Sequence, residues 1–167
     1  MLPIVIDVAR IGVAVAGRGA GLQRRLKLLS GAGIASPVVL PSAAVSADAL
    51  SGIALLFVAG LDEAQSRQLA QAAHSAGILV NVEDMPSLCD FHVPAQLRRG
   101  DLLLTVSTAG RSPGLSRILR ERLEEIFGPE WQGMLENLAA ARQQWRANGL
   151  APDEVARRTR AMVDQLK

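Results

Sequence analysis

The chain has no tyrosine, three phenylalanines and two tryptophans, so whatever core it builds must be aliphatic, made of Leu, Val, Ile and Ala. Its single cysteine, Cys89, excludes an internal disulfide and any cysteine-based zinc site. Two histidines, His74 and His92, are too few for a His-rich metal site. A net charge of +2 is too small to argue for a nucleic-acid partner, and no stretch is both long and apolar enough to span a bilayer. Only two of the 18 basic residues are lysine, an arginine bias that suits bidentate carboxylate or phosphate partners. Residues 11–17 are small and apolar like the end of an export signal. Asp7 and Arg10 interrupt that run, however, and a buried strand is the better reading, with a cytoplasmic location expected. What is present is 49% hydrophobic and 20% charged over 167 residues, enough for one respectable core plus a modest appendage.

The first hundred residues alternate β-type and helical runs. Residues 11–15 form a continuous apolar run, as expected of a strand covered on both faces. Leu22, Leu26 and Leu29 then recur at helical spacing until Gly31 and Gly33. Short strands are expected over 37–40, 53–59 and 78–82, with a helix capped by Asp62 over roughly 63–76. This rhythm predicts a parallel sheet with helices on both faces. His92-Val93 and residues 102–106 read as a strand pair turning at Arg99-Gly100-Asp101. Beyond Ser107 the chain reads as helical, in three amphipathic segments broken at Gly128-Pro129 and Asn148-Gly149. Their apolar stripes need a partner, either the sheet or a second subunit.

Gly17-Arg18-Gly19-Ala20-Gly21 stands where a nucleotide-binding turn belongs, after the first strand and opening a helix. Glycine there lets the backbone turn tightly and approach a pyrophosphate, which free amides and the positive helix end then hold. The usual fingerprint is Gly-x-Gly-x-x-Gly/Ala, which puts Leu22 at the third position. A plain strand–helix connection is the alternative. No Asp or Glu ends the second strand, where Leu40-Pro41-Ser42 stands, so the choice between NAD and NADP stays open.

Two further segments bear chemistry. Asn81-Val82-Glu83-Asp84-Met85-Pro86 leaves the fourth strand at the carboxyl edge of the sheet, where ligands bind in open α/β folds. A carboxylate there can act as a general base, or merely cap the next turn. Ser107-Thr108-Ala109-Gly110-Arg111-Ser112-Pro113 precedes a helix, and its hydroxyls and helix end make a socket for an anion, or simply a cap. The remaining residues of note read more plainly: His74 as a boundary residue, His92 as a conceivable ligand, Cys89 as a small core filler. Trp131 and Trp145 read as core or interface anchors, and Arg157, Arg158 and Arg160 as a solvated face.

In order, the chain carries a glycine turn, Asn-Val-x-Asp-x-Pro (81–86), Phe-x-x-Pro (91–94) and Ser-Thr-x-Gly-x-Ser-Pro (107–113), followed by Leu-x-Arg-x-Leu-Arg-Glu (115–121). This series resembles the precorrin-2 dehydrogenase/sirohydrochlorin ferrochelatase family, including the amino-terminal half of bifunctional sirohaem synthases, over about residues 2–127. The resemblance implies a Rossmann-like NAD-binding domain (1–88), a strand-pair dimerisation and substrate region (89–112) and a helical region (113–167). It implies NAD-dependent oxidation of precorrin-2 to sirohydrochlorin by a homodimer, with ferrous iron inserted by many members. It makes Asp84 the key acid, serving dehydrogenation and, where it occurs, chelation. Gly17, Arg18, Gly19, Ala20, Gly21, Pro41, Ser42 and Ala59 would then bind cofactor, and Asn81, Thr108, Gly110 and Ser112 substrate. This sequence departs from the family pattern at three places. Arg18 replaces the middle of a Gly-Gly-Gly turn, Gly60 follows Ala59 where the family has Thr, and the short segment 41–52 leaves little room for the family's extra strand. A non-catalytic tetrapyrrole-binding relative and an NAD-sensing regulatory domain are the alternatives.

Overall fold

The computed structural model describes residues 2–34, 36–41, 46 and 48–166, in two compact units divided after Val93. The first unit is a parallel four-stranded sheet of β1 (Gly12–Gly17), β2 (Val38–Leu40), β3 (Ile53–Ala59) and β4 (Leu79–Val82), in the order β2-β1-β3-β4. Helices α1 (Gly19–Gly31) and α2 (Glu63–Ser75) provide the crossovers. The alternation of side chains along each strand divides the core in two. Ala14, Ala16, Leu56, Val58, Val80 and Val82 pack with Leu69, Ala70 and Ala73 of α2. Val13, Val15, Leu55 and Phe57 pack with Leu29, and with the half-buried Leu22 and Leu26, of α1. Both faces are covered, as the uninterrupted apolar runs of β1 and β3 require. Segment 41–52 has no strand among its described residues, only a short 3-10 helix over Asp48–Leu50.

Strand β4 lies at one edge of the sheet, and an uncovered edge would leave unpaired backbone groups. The returning chain covers it. Val80 N donates to the Asp90 carboxylate at 2.8 Å, and Asp90 N donates to the Val80 carbonyl at 2.8 Å. His74 Nε2, on α2, lies 2.8 Å from the same carboxylate oxygen. Replacing Asp90 by Ala strands a part-buried amide, so Asp90→Ala is expected to cost about 2 kcal/mol in urea denaturation. His74 is half exposed, and His74→Ala should cost less than about 1 kcal/mol in the same measurement.

The second unit begins with the antiparallel pair β5 (Ala95–Arg99) and β6 (Leu102–Val106). The first of these strands starts after Pro94 rather than at His92-Val93, since proline has no amide to give to a ladder. Gly100 and Asp101 join the strands, and positive φ at Gly100 alone marks a type II′ hairpin turn. Helix α3 (Pro113–Ile126) packs against both strands, followed by α4 (Glu130–Ala147) and α5 (Pro152–Val163). The Arg99 guanidinium donates to the Phe127 carbonyl at 2.9 Å, fastening the strand pair to the end of α3. The Phe127 and Trp131 rings pack at a 60° tilt with centroids 5.0 Å apart, and Arg158 lies over Trp145. Arg157 and Arg158 pair with Glu154 on the solvent side. Leu115, Ile118, Leu119 and Ile126 form an exposed apolar stripe on α3, with Ile126 64% accessible. Among the described residues no helix is long and apolar enough to cross a membrane.

Candidate active site

The glycine turn sits at the carboxyl end of β1. Arg18 N donates to the Ala59 carbonyl at 3.2 Å, so the turn is tied to the end of β3. Gly21 is where α1 packs tightly on the residue that follows β3. A Cβ there would lie 2.7 Å from Gly60 N and 2.7 Å from a Glu83 carboxylate oxygen. The small residue that lets helix meet strand is therefore Gly21, not position 22. Leu22 instead turns toward the α1 core. Gly60, at φ +68°, answers it from the other side, for a Cβ there would strike the Arg18 carbonyl oxygen. With this backbone no threonine, the residue of the family pattern, fits that position. Arg18 is in extended backbone and needs no glycine there. Its guanidinium lies 3.2 Å from Gln65 Oε1 and 3.9 Å from Asp62, at the start of α2.

The turn fits an anionic ligand. Gly19 has φ +60° with nothing within 4 Å of its Cβ position, so its outer side is open. The first turn of α1 carries no acidic residue to oppose a phosphate. Ala20 is exposed beside it, Gly17 ends β1 against Ala59, and Pro41 follows β2 in an exposed position. Ser42 lies outside the described residues.

Asp84 crowns a four-residue turn from Val82 to Met85, closed by Met85 N to the Val82 carbonyl. Its φ of +59°, at the third place of the turn, is a conformation that Asp and Asn tolerate better than most residues. Its neighbour Glu83, 17% exposed at the side chain, reaches back to α1 and receives the Arg24 guanidinium at 3.2 Å. The carboxylate of Glu83 also faces Gly21, so the turn bearing Asp84 adjoins the glycine turn within one unit. Two residues that sequence reasoning passed over complete this corner, Arg24 and Arg25. Arg25 lies over the Phe57 ring at 5.6 Å, and its Nε has no hydrogen-bond partner among the described residues. Burial lowers the pKa of its guanidinium, with Glu83 and more weakly Asp84 acting in the other direction. A signal was available: Arg25 falls three residues after Leu22 and four before Leu29, on the buried stripe of α1.

Asn81 is 5% exposed, with its amide donating to the Phe91 carbonyl at 2.9 Å and its Oδ1 without a partner among the described residues. Cys89 packs against the α2-side core and also makes hydrogen bonds. Its sulfur accepts from Val82 N at 3.2 Å and donates to the carbonyls of Val82 at 3.2 Å or Met85 at 3.4 Å. His92 neighbours this segment, and among the described residues no three His, Cys, Asp or Glu side chains gather as a metal site.

In the second unit, Arg111 N donates to the Thr108 carbonyl at 3.0 Å around Ala109 (φ +56°) and Gly110 (φ +77°), a type I′ pattern. Thr108 Oγ1 bonds both Ser112 N and Ser116 Oγ, and Ser112 Oγ caps α3 at Leu115 N. The loop is thus prearranged at the start of a helix, with both hydroxyls partly engaged. Alanine is strained at positive φ, so Ala109→Gly is expected to raise unfolding stability by up to about 1 kcal/mol, read in urea.

Residues 4–95 match the sequence profile of a family described as "Putative NAD(P)-binding". The chain is 35% identical to the siroheme synthase of Methylococcus capsulatus over 94% of its own length and 36% of that protein's. It is 34% identical to the siroheme synthase of Nitrosomonas eutropha over 83% of its length and 33% of that protein's. It therefore spans about a third of the length of the curated relatives it matches. A solved structure named SirC, precorrin-2 dehydrogenase, shares the fold with a TM-score of 0.73 at 21% identity, covering 99% of this chain and 90% of that one. With the profile covering over half its length, the chain belongs to this NAD(P)-binding family.

Proposed function

We propose that this chain oxidises precorrin-2 to sirohydrochlorin with NAD as acceptor, Asp84 serving as the acid–base residue. The carrying observation is the placement of the Asp84 turn beside the glycine turn, joined through Glu83 and Gly21, at the carboxyl edge of the sheet. Bound NAD supplies a nicotinamide ring able to accept a hydride. The chain's own part is to hold and to move a proton. The free amides of the first turn of α1, at Gly19, Ala20 and Gly21, would hold the pyrophosphate, with Gly17 and Arg18 shaping the turn that presents them and Ala59 and Pro41 bordering the rest of the cofactor. Oxidation of the macrocycle removes one hydride and one proton, and the Asp84 carboxylate would take that proton and pass it to solvent. Thr108, Gly110 and Ser112 would orient the polycarboxylate substrate through the loop and helix start they build, whereas Asn81, buried and bonded to the Phe91 carbonyl, would act only through the chain it holds in place.

Insertion of ferrous iron, as substrate, would use the same carboxylate while the macrocycle nitrogens supply the ligands. The exposed stripe of α3 supports a homodimer, since a lone chain would leave Leu115, Ile118, Leu119 and Ile126 in water. The test is an anaerobic assay with precorrin-2 and NAD or NADP, followed by absorbance for sirohydrochlorin, with and without ferrous or cobaltous ion. Product with NAD supports the reading, and product with NADP alone would change the acceptor while keeping the reaction. Tetrapyrrole binding without turnover would make the chain a binding relative, and nucleotide binding without tetrapyrrole binding a sensing domain.

A further inference from the structure

We propose that Cys89 is a positioning residue for Asp84, acting through a strap of residues 88–91 that side chains stitch onto the free edge of β4. The inference rests on the reading of Asp84 as the acid–base residue. Three stitches are present. Asp90 exchanges hydrogen bonds with both backbone groups of Val80, each at 2.8 Å. The Asn81 amide donates to the Phe91 carbonyl at 2.9 Å and lies 3.7 Å from the Cys89 sulfur. Cys89 accepts from Val82 N and donates to the carbonyl of Val82 or of Met85. The first two fix where the strap lies; the third acts on the turn itself.

Val82 and Met85 are the first and last residues of the turn that carries Asp84. Their own closing bond is long, at 3.4 Å from Met85 N to the Val82 carbonyl. Asp84 at positive φ occupies a backbone state that persists only where its surroundings determine it. The thiol grips both ends of that turn from outside, accepting at one and donating its single proton to either carbonyl. A small core filler would need none of this, and alanine would serve. Cysteine is chosen, on this account, because sulfur both packs against the α2-side core and bonds the backbone.

The test compares Cys89→Val, which loses the bonds and adds one methyl group, with Cys89→Ser, which keeps donor and acceptor. Cys89→Val should lower kcat for precorrin-2 oxidation at least about tenfold with KM for NAD unchanged, because the carboxylate is displaced and not the nucleotide turn. Cys89→Ser should recover most of that loss. On an Asp84→Asn background Cys89→Val should cost little more, since the group it positions is already gone. Independently of turnover, amide hydrogen exchange by NMR should show at least about tenfold faster exchange at Val82 in Cys89→Val, with Val80 held by Asp90 unchanged. Wild-type kcat in Cys89→Val, an equal loss on both backgrounds, or unaltered protection at Val82 would overturn the proposal while leaving Asp84 its role. Full turnover by Asp84→Asn alone would overturn both.

Discussion

Asp84→Asn should lower precorrin-2 oxidation by at least about a hundredfold, the usual scale for loss of a positioned acid–base group. Asparagine is the informative replacement because it separates chemistry from conformation. It matches aspartate in size and shares its tolerance of the left-handed backbone that position 84 adopts at φ +59°. Alanine would confound the result, adding about 1 kcal/mol of backbone strain to the loss of the carboxylate. The nucleotide half is spared as well, since the contacts that join this turn to α1 belong to Glu83, through Gly21 and Arg24. The expected outcome is a fall in kcat with NAD affinity, measured by fluorescence titration, and urea midpoint both close to wild type. Undiminished sirohydrochlorin formation would remove Asp84 from the reaction.

The layout of the sheet was legible because its cause is one-dimensional. Short apolar runs without polar alternation, in β1 and β3, bounded by glycines and rich in β-branched residues, read as strands covered on two faces, and the two-sided core follows from them. The site was legible to the extent that it lies in contiguous motifs, the glycine turn, Asn81 to Pro86 and Ser107 to Pro113. What escaped depends on side chains meeting backbone across a fold. Neither the strap of residues 88–91 nor the approach of Gly21 to Gly60 has a period or a spacing that a sequence displays. Counting along the fingerprint placed the small residue at Leu22, whereas the helix, starting at Gly19, turns Gly21 toward the strand and Leu22 toward the core. Arg18 is the converse case. In sequence an arginine in place of a glycine can be read either as crowding a pyrophosphate or as reaching a phosphate; its extended backbone admits the side chain, and its guanidinium lies beside Gln65 of α2.

That interlock gives the second large effect. Gly60→Ala should destabilise the fold by about 3 kcal/mol, combining the strain of a Cβ at positive φ with the overpacking of a closed contact. The added atom would strike the Arg18 carbonyl oxygen, which is backbone and cannot rotate aside. Relief requires Arg18 to withdraw, and Arg18 N is the group that ties the turn to the Ala59 carbonyl. The amides proposed to hold the pyrophosphate would move with it, so NAD affinity should fall along with stability. Gly77→Ala is the control. Position 77 has nearly the same backbone, φ +73° against +68°, but nothing within 4 Å of its Cβ position. It should therefore cost only the conformational share, about 1 kcal/mol, and leave nucleotide binding alone. The difference between the two variants, read by urea denaturation and NAD titration, isolates the close approach from the dihedral. Equal losses in both would mean that the turn does not depend on the contact between Gly60 and Arg18. A larger loss at Gly60, matched by weaker binding, would mean that the small residue following β3 shapes the cofactor turn as much as the glycines following β1 do.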